Sequence, residues 1–244
     1  MPNVFTLPNI SGVFDLQAKA TGVTSDSKTY DINFSGSGRD VIFNENALGQ
    51  VSFVGKTENR QLNANLTANF GGQPQTIIAN VNFADENLPF RAETTFNNTE
   101  LAPFIALANP PTTVSITGTA TGRVFLAGNL SAVNPTTGER EFTTGNLSGS
   151  AEFSQLALQI GDTPLYAAEP IAVRFTTQEI VFENAKFTGG GSNIVVSGSK
   201  ALTDNGTNNL TVDGKINLSV LNAISSNTFF AGISGISIRL PVIN

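Results

Sequence analysis

The residues that could do chemistry are few. Asp85-Glu86 and Glu139-Arg140-Glu141 offer paired carboxylates, the material of general acid/base catalysis. Each stands in a polar, loop-like stretch with no companion base or nucleophile, so solvated surface is the better reading. Gly189-Gly190-Gly191 could cradle a phosphate on its backbone N–H groups, but neither a helix start nor a P-loop lysine follows, and it reads as a hairpin turn. Asp204-Asn205-Gly206 hints at calcium and lacks the rest of an oxygen-ligand loop. The chain contains no His and no Cys, so imidazole acid/base chemistry, thiol nucleophiles and Cys/His zinc sites have no residues to use. No catalytic residue, metal ligand or cofactor motif can be assigned, and the chain is expected not to be an enzyme.

Charge narrows the partners. Thirteen Lys+Arg against nineteen Asp+Glu leave a net charge of −6 with no basic cluster. Nucleic acid is not an expected partner, because phosphates are bound by Lys/Arg patches that displace counterions. Docking by charge on an anionic membrane is disfavoured for the same reason. No segment approaches the roughly 20 apolar residues of a membrane span. The start, Met1-Pro-Asn-Val-Phe-Thr, has neither the basic nor the apolar part of a signal peptide.

The elements that must carry any function are strands. From Arg60 to Phe70, Leu62, Ala64, Leu66, Ala68 and Phe70 alternate with Asn63, Asn65, Thr67 and Asn69. This period of two gives one apolar and one polar face. Ile77, Ala79, Val81 and Phe83 repeat the pattern, as do Phe90, Ala92 and Phe96 with Thr94 in register, and Leu210, Val212 and Ile216 with Gly214 in register. Gly71-Gly72, Gly189-Gly190-Gly191 and Asp204-Asn205-Gly206 supply turns that tolerate positive φ. About sixteen short antiparallel strands follow from this spacing. Two segments read as helix: Glu100–Ala108, with Leu101, Phe104, Ile105 and Ala108 at helical spacing, and Ser219–Ile224.

The helices fall at matching places in an internal repeat. At one constant offset Phe90, Ala92, Phe96 and Leu101 meet Leu210, Val212, Ile216 and Leu221. The expected organisation is a first repeat over 10–109, a second over 114–227, and the start of a third over 228–244, a piece of a longer array. Pro110-Pro111 marks the joint.

Alternation alone also fits a closed core whose inner faces pack on each other. Three features favour an open apolar wall instead. The aromatic residues are 18 Phe against 2 Tyr and no Trp, which suits a surface without hydrogen-bonding handles. Small residues such as Ala64, Ala68, Ala79, Ala92, Gly128, Gly198 and Gly214 leave room along that wall. A sheet of so many strands curls rather than staying flat, and a curled sheet keeps its apolar face inside. The expected fold is therefore all-β: an elongated, curved antiparallel sheet, an open trough of two repeats with one short helix in each.

Three stretches resemble the TamB-like branch of the AsmA-like superfamily, envelope proteins with a bridge-like lipid-transfer architecture. They are Asn87-Leu-Pro-Phe through Ala102-Pro-Phe-Ile105, Thr117-Gly-Thr-Ala-Thr-Gly-Arg-Val-Phe-Leu-Ala-Gly-Asn-Leu130, and Ile180 through Phe187-Thr-Gly-Gly-Gly-Ser-Asn-Ile-Val-Val-Ser-Gly198 to Asn209-Leu-Thr-Val-Asp-Gly-Lys-Ile-Asn-Leu218. The likeness extends over nearly the whole chain, which resembles a mid-array segment. It implies a β-taco in the periplasm of a diderm bacterium, with phospholipid acyl chains moving between inner and outer membranes along its apolar interior. It further implies a contribution to outer-membrane protein assembly, with an outer-membrane barrel protein met through regions outside this segment. The residues assigned to the lipid-facing wall are Phe14, Leu16, Leu62, Leu66, Phe70, Ile77, Val81, Phe83, Phe90, Phe96, Val124, Leu126, Ile194, Val196, Leu210, Val212 and Ile216. A one-residue register slip would turn the same set to the opposite face. The competing expectation is a structural or adhesive β-solenoid, or a scaffold that holds β-rich clients by edge pairing. Open edges also make edge-to-edge self-association an expectation.

Overall fold

A computed structural model describes residues 10–43, 46–70, 73–108, 115–143, 145–202 and 206–217. The described residues are nearly all strand, paired antiparallel throughout, with one short helix. The chain divides into two compact units, 1–88 and 89–244.

In the first unit, β1 (Ile10–Val23), β2 (Asp26–Phe43), β3 (Asn46–Glu58), β4 (Gln61–Phe70) and β5 (Gln73–Asn82) pair in sequence order as a meander. The β3–β4 connection is tight. Glu58 pairs with Gln61 across Asn59-Arg60, both with positive φ (51° and 62°). Such turns match the right-handed twist of the strands they join.

The second unit holds β6 (Pro89–Glu100), α1 (Ala102–Ala108), β7 (Ile116–Asn129), β8 (Ser131–Val133), β9 (Arg140–Phe142), β10 (Ser148–Ile160), β11 (Thr163–Ala167), β12 (Ile171–Thr176), β13 (Glu179–Gly189), β14 (Ser192–Ala201) and β15 (Asn209–Lys215). β6, β7 and β10 are neighbours. β11 and β12 then share the next position, β12 against the first half of β10 and β11 against its second half. β13, β14 and β15 follow. β8 and β9 form a separate two-stranded ribbon between β7 and β10. Glu139-Arg140-Glu141, read from sequence as a loop, therefore contributes Arg140 and Glu141 to a strand.

The helix expected over Glu100–Ala108 is present as Ala102–Ala108. Glu100 instead closes β6. Pro103 is tolerated because it sits in the first turn, where its missing N–H has no intrahelical partner to lose. The second expected helix, the Gly71-Gly72 turn, Pro110-Pro111 and the expected third-repeat start lie outside the described residues. The Gly190-Gly191 turn is present as expected, with Gly189 paired to Ser192 and φ of 54° and 75° at the two turn residues.

Candidate functional site

Cross-strand register assembles the alternating residues into rows. Across β1 to β5 one face carries Leu16–Gly36–Phe53–Leu66–Ile77, Ala18–Phe34–Gly55–Ala64–Ala79 and Phe14–Gly38–Val51–Ala68–Gln75. The opposite face carries Asp15–Ser37–Ser52–Thr67–Thr76 and Lys19–Asn33–Lys56–Asn63–Asn80. Thr67 and Thr76 share a hydrogen bond of 3.0 Å, and Asn80 Nδ2 donates to Asn63 Oδ1 at 2.8 Å. Between those rows lies Gln17–Ser35–Val54–Asn65–Ile78, where Val54 and Ile78 are exposed apolar residues on the polar side.

The second unit repeats the division. One face carries Thr94–Val124–Ala151–Val173–Phe182–Gly198–Leu210 and Ala92–Leu126–Gly149–Phe175–Ile180–Lys200. Phe187–Ile194–Gly214 and Ala185–Val196–Val212 continue it. The other face holds the ion pairs. Arg123 Nε and Nη2 both donate to Glu152 Oε2 (3.0 and 2.8 Å), and Arg174–Glu183 and Lys186–Glu169 pair at 2.6 and 2.8 Å. An open depression of about 690 Å³ is lined by Glu93, Arg123 and Glu152 together with the apolar Phe96, Phe153 and Ile171.

Each described wall residue inside a strand thus lies on the apolar face of its own unit. Their exposure differs. Leu16 is 62% and Phe14 44% exposed on the outermost strand, while Leu62, Leu66, Ile77, Val81, Phe90, Val124, Leu126, Val196 and Val212 are half-buried. Ile194, Leu210, Phe83 and Phe96 are buried. Phe83 is covered by the edge of the Tyr30 ring, 5.4 Å between centroids, and its N–H donates to the Arg60 carbonyl at 2.7 Å. Phe96 is covered by α1: Phe104 lies edge-on at 5.2 Å, with Phe153 at 6.1 Å on another side. Ile216 lies just past β15, half-buried. The backbone of Phe70 closes β4, and its side chain lies outside the described residues.

Several glycines of the apolar face lie against phenylalanine rings rather than open space. Phe and Gly are placed opposite one another again and again: Phe14–Gly38, Phe53–Gly36, Phe34–Gly55, Phe90–Gly128, Phe175–Gly149 and Phe182–Gly198. A Cβ on Gly36 would lie 2.5 Å from Phe53 Cζ, and one on Gly55 or Gly149 would overlap the facing Phe34 or Phe175 ring. At Gly36, Gly38, Gly55 and Gly149 a phenylalanine ring thus occupies the space that a side chain on the glycine would take.

Sequence reasoning missed a second device. In three strands the ladder slips at an Asn or Asp with positive φ: Asp40 (54°), Asn98 (48°) and Asn184 (73°). The irregularities lie between Gly38 and Val41, Phe96 and Thr99, and Phe182 and Ala185. These residue types tolerate the left-handed region best after glycine. In the second unit the slips line up. The one in β6 faces β7 at Ala120–Gly122, β10 slips between Phe153 and Gln155, the β11/β12 position breaks over residues 168–170, and β13 slips at Asn184. The result is a crease running across the strands, since bulges bend a strand and increase its twist. Four well-buried side chains lie along it on the apolar side, Ala120 and Ala185 at 1%, Thr99 at 3% and Ile171 at 4%, while Leu165 and Ile194 are buried away from it. The signal existed in sequence as Phe-Asn-Asn-Thr99 and Phe-Glu-Asn-Ala185, but Asn within a strand also reads simply as a polar-face residue.

Hydrogen bonding and attraction between Lys56 and Glu58, 2.8 Å apart, hold the carboxyl below its usual range and raise the amine. Among the described residues no three His, Cys, Asp or Glu side chains converge as a metal site, and no helix is long and apolar enough to cross a membrane. No family model, no curated protein and no solved structure matches the chain.

Proposed function

We propose that this chain is a lipid-shielding or lipid-conducting segment of a TamB-like envelope protein. Its two repeats form a trough whose apolar rows hold phospholipid acyl chains between the inner and outer membranes, in the periplasm of a diderm bacterium. The head group stays in water at the open seam. Outer-membrane protein assembly, with a barrel protein met outside this segment, is the second role the resemblance brings.

The observation that carries this reading is the first unit's apolar face. Rows such as Leu16–Gly36–Phe53–Leu66–Ile77 cross every strand, stay partly exposed, and among the described residues of that unit have no helix or second sheet lying across them. The crease in the second unit supports a curved sheet with the apolar side inward. Each acyl CH₂ that leaves water gains about 0.8 kcal/mol. Apolar rows that cross every strand of that unit offer this gain along the whole face, so it gives a chain no preferred stopping point.

Gentle purification followed by extraction and mass spectrometry tests the reading. Phospholipid is expected with the parental chain, is expected to be lost in Leu66→Glu, and is expected to be kept in Asn65→Glu on the opposite face. A lipid-free parental chain, or equal lipid in both variants, contradicts it.

A further inference from the structure

β1 stands at the end of the strand order, and each of its fourteen residues is exposed. A strand in that position presents a row of outward N–H and C=O groups that another strand can complete. The sequence of β1 restricts which strand. Its ladder with β2 slips between Ser11 and Val13 and again between Thr21 and Val23, at Gly12 and Gly22, leaving a regular stretch from Val13 to Thr21. Gln17 is the centre of that stretch. In an antiparallel pairing of β1 with itself about Gln17, Gly12 faces Gly22, Phe14 faces Ala20 and Leu16 faces Ala18, so apolar meets apolar. On the other face Asp15 meets Lys19 twice, once on each side of the axis. Other registers that keep the faces matched lose this: sliding by two residues either way sets Asp15 and Lys19 opposite uncharged residues, and sliding by four brings Asp15 opposite Asp15 or Lys19 opposite Lys19.

We propose that β1 is a self-complementary edge that pairs with β1 of a second copy, antiparallel, across a two-fold axis through Gln17. The interface is isologous and closes on itself. Directly opposed unlike charges favour the pairing and like charges oppose it. The pairing also makes the apolar faces of the two copies continuous. It requires nothing of the lipid reading and stands if that reading fails.

Sedimentation equilibrium of the full chain tests it. A dimer is expected. Asp15→Lys and Lys19→Asp should each weaken it about tenfold, because each variant places two like-charge pairs across the axis. The double variant, Asp15→Lys with Lys19→Asp, should restore the dimer. An equimolar mixture of the two single variants should form heterodimers, which also shows that both remain folded. A monomeric parental chain, singles as tight as the parent, a double variant as weak as the singles, or open-ended polymers from β1 meeting β15 of another copy would each overturn the proposal.

Discussion

The two units divide apolar from polar in the same way and hold their shape differently. In β1 to β5 the rows run almost unbroken, and the slips sit near the strand ends, at Gly12, Gly22 and Asp40. In the second unit the slips fall in line across the strands, from the end of β6 to the middle of β10 and β13, α1 lies over Phe96, and the best-buried small residues gather at the crease. A period of two therefore decides which side of a sheet is apolar, while the placing of Asn and Asp at positive φ decides where that sheet bends.

Substitutions that treat the two units alike should separate them. The largest difference is expected between Phe96→Ala, which removes a buried ring from contact with Phe104 and Phe153, and Leu16→Ala on the exposed edge. Denaturant titration should give a loss of about 3–5 kcal/mol for the first, and about 1 kcal/mol or less for the second. Gly36→Ala should come next. The added methyl meets Phe53 Cζ at 2.5 Å and the Asp15 carbonyl oxygen at 2.6 Å, and displacing that ring should cost about 1–3 kcal/mol. Asn98→Val should then cost about 1–2 kcal/mol, because a β-branched residue resists the left-handed conformation that bends β6. Asn98→Gly should be close to neutral, and a loss for Gly as large as for Val would remove the bulge from the account.

The smallest effect belongs to the Lys56–Glu58 pair, which is wholly exposed and screened by solvent. Glu58 titrates lower folded than unfolded, so its contribution is present above the unfolded carboxylate pKa and disappears as pH falls through the folded one. Lys56 titrates higher folded, so its contribution is present below the unfolded amine pKa and is lost as pH rises through the folded one. Lys56→Ala should abolish both dependences while leaving the melting temperature at neutral pH nearly unchanged. A marked drop there would mean the pair matters more than its exposure allows.

Which residues share a face within one strand was legible in the sequence because alternation is local: Leu62 sides with Leu66, and Ile77 with Val81, by parity alone. α1 and the Gly190-Gly191 turn were legible for the same reason, through helical spacing and turn chemistry. Register was not. Nothing near Gly55 announces that Phe34 will lie on it, since the two meet only when β2 and β3 align. Asn98 and Asn184 resemble the surface asparagines of β4, and only the ladder distinguishes a bulge from a polar face. Arg140-Glu141 read as loop because a three-residue strand is too short to show a period.

The central claim is that lipid meets one face of the sheet and not the other, and neighbouring isoleucines in β5 test it most directly. Ile77 lies on the apolar face opposite Leu66, while Ile78 points to the polar side opposite Asn65 and is 55% exposed. A photo-crosslinking amino acid placed at each position in turn, with irradiation in the presence of phospholipid, should give a lipid adduct from position 77 and none from position 78. Equal adducts at both positions, or none at 77, would contradict the account.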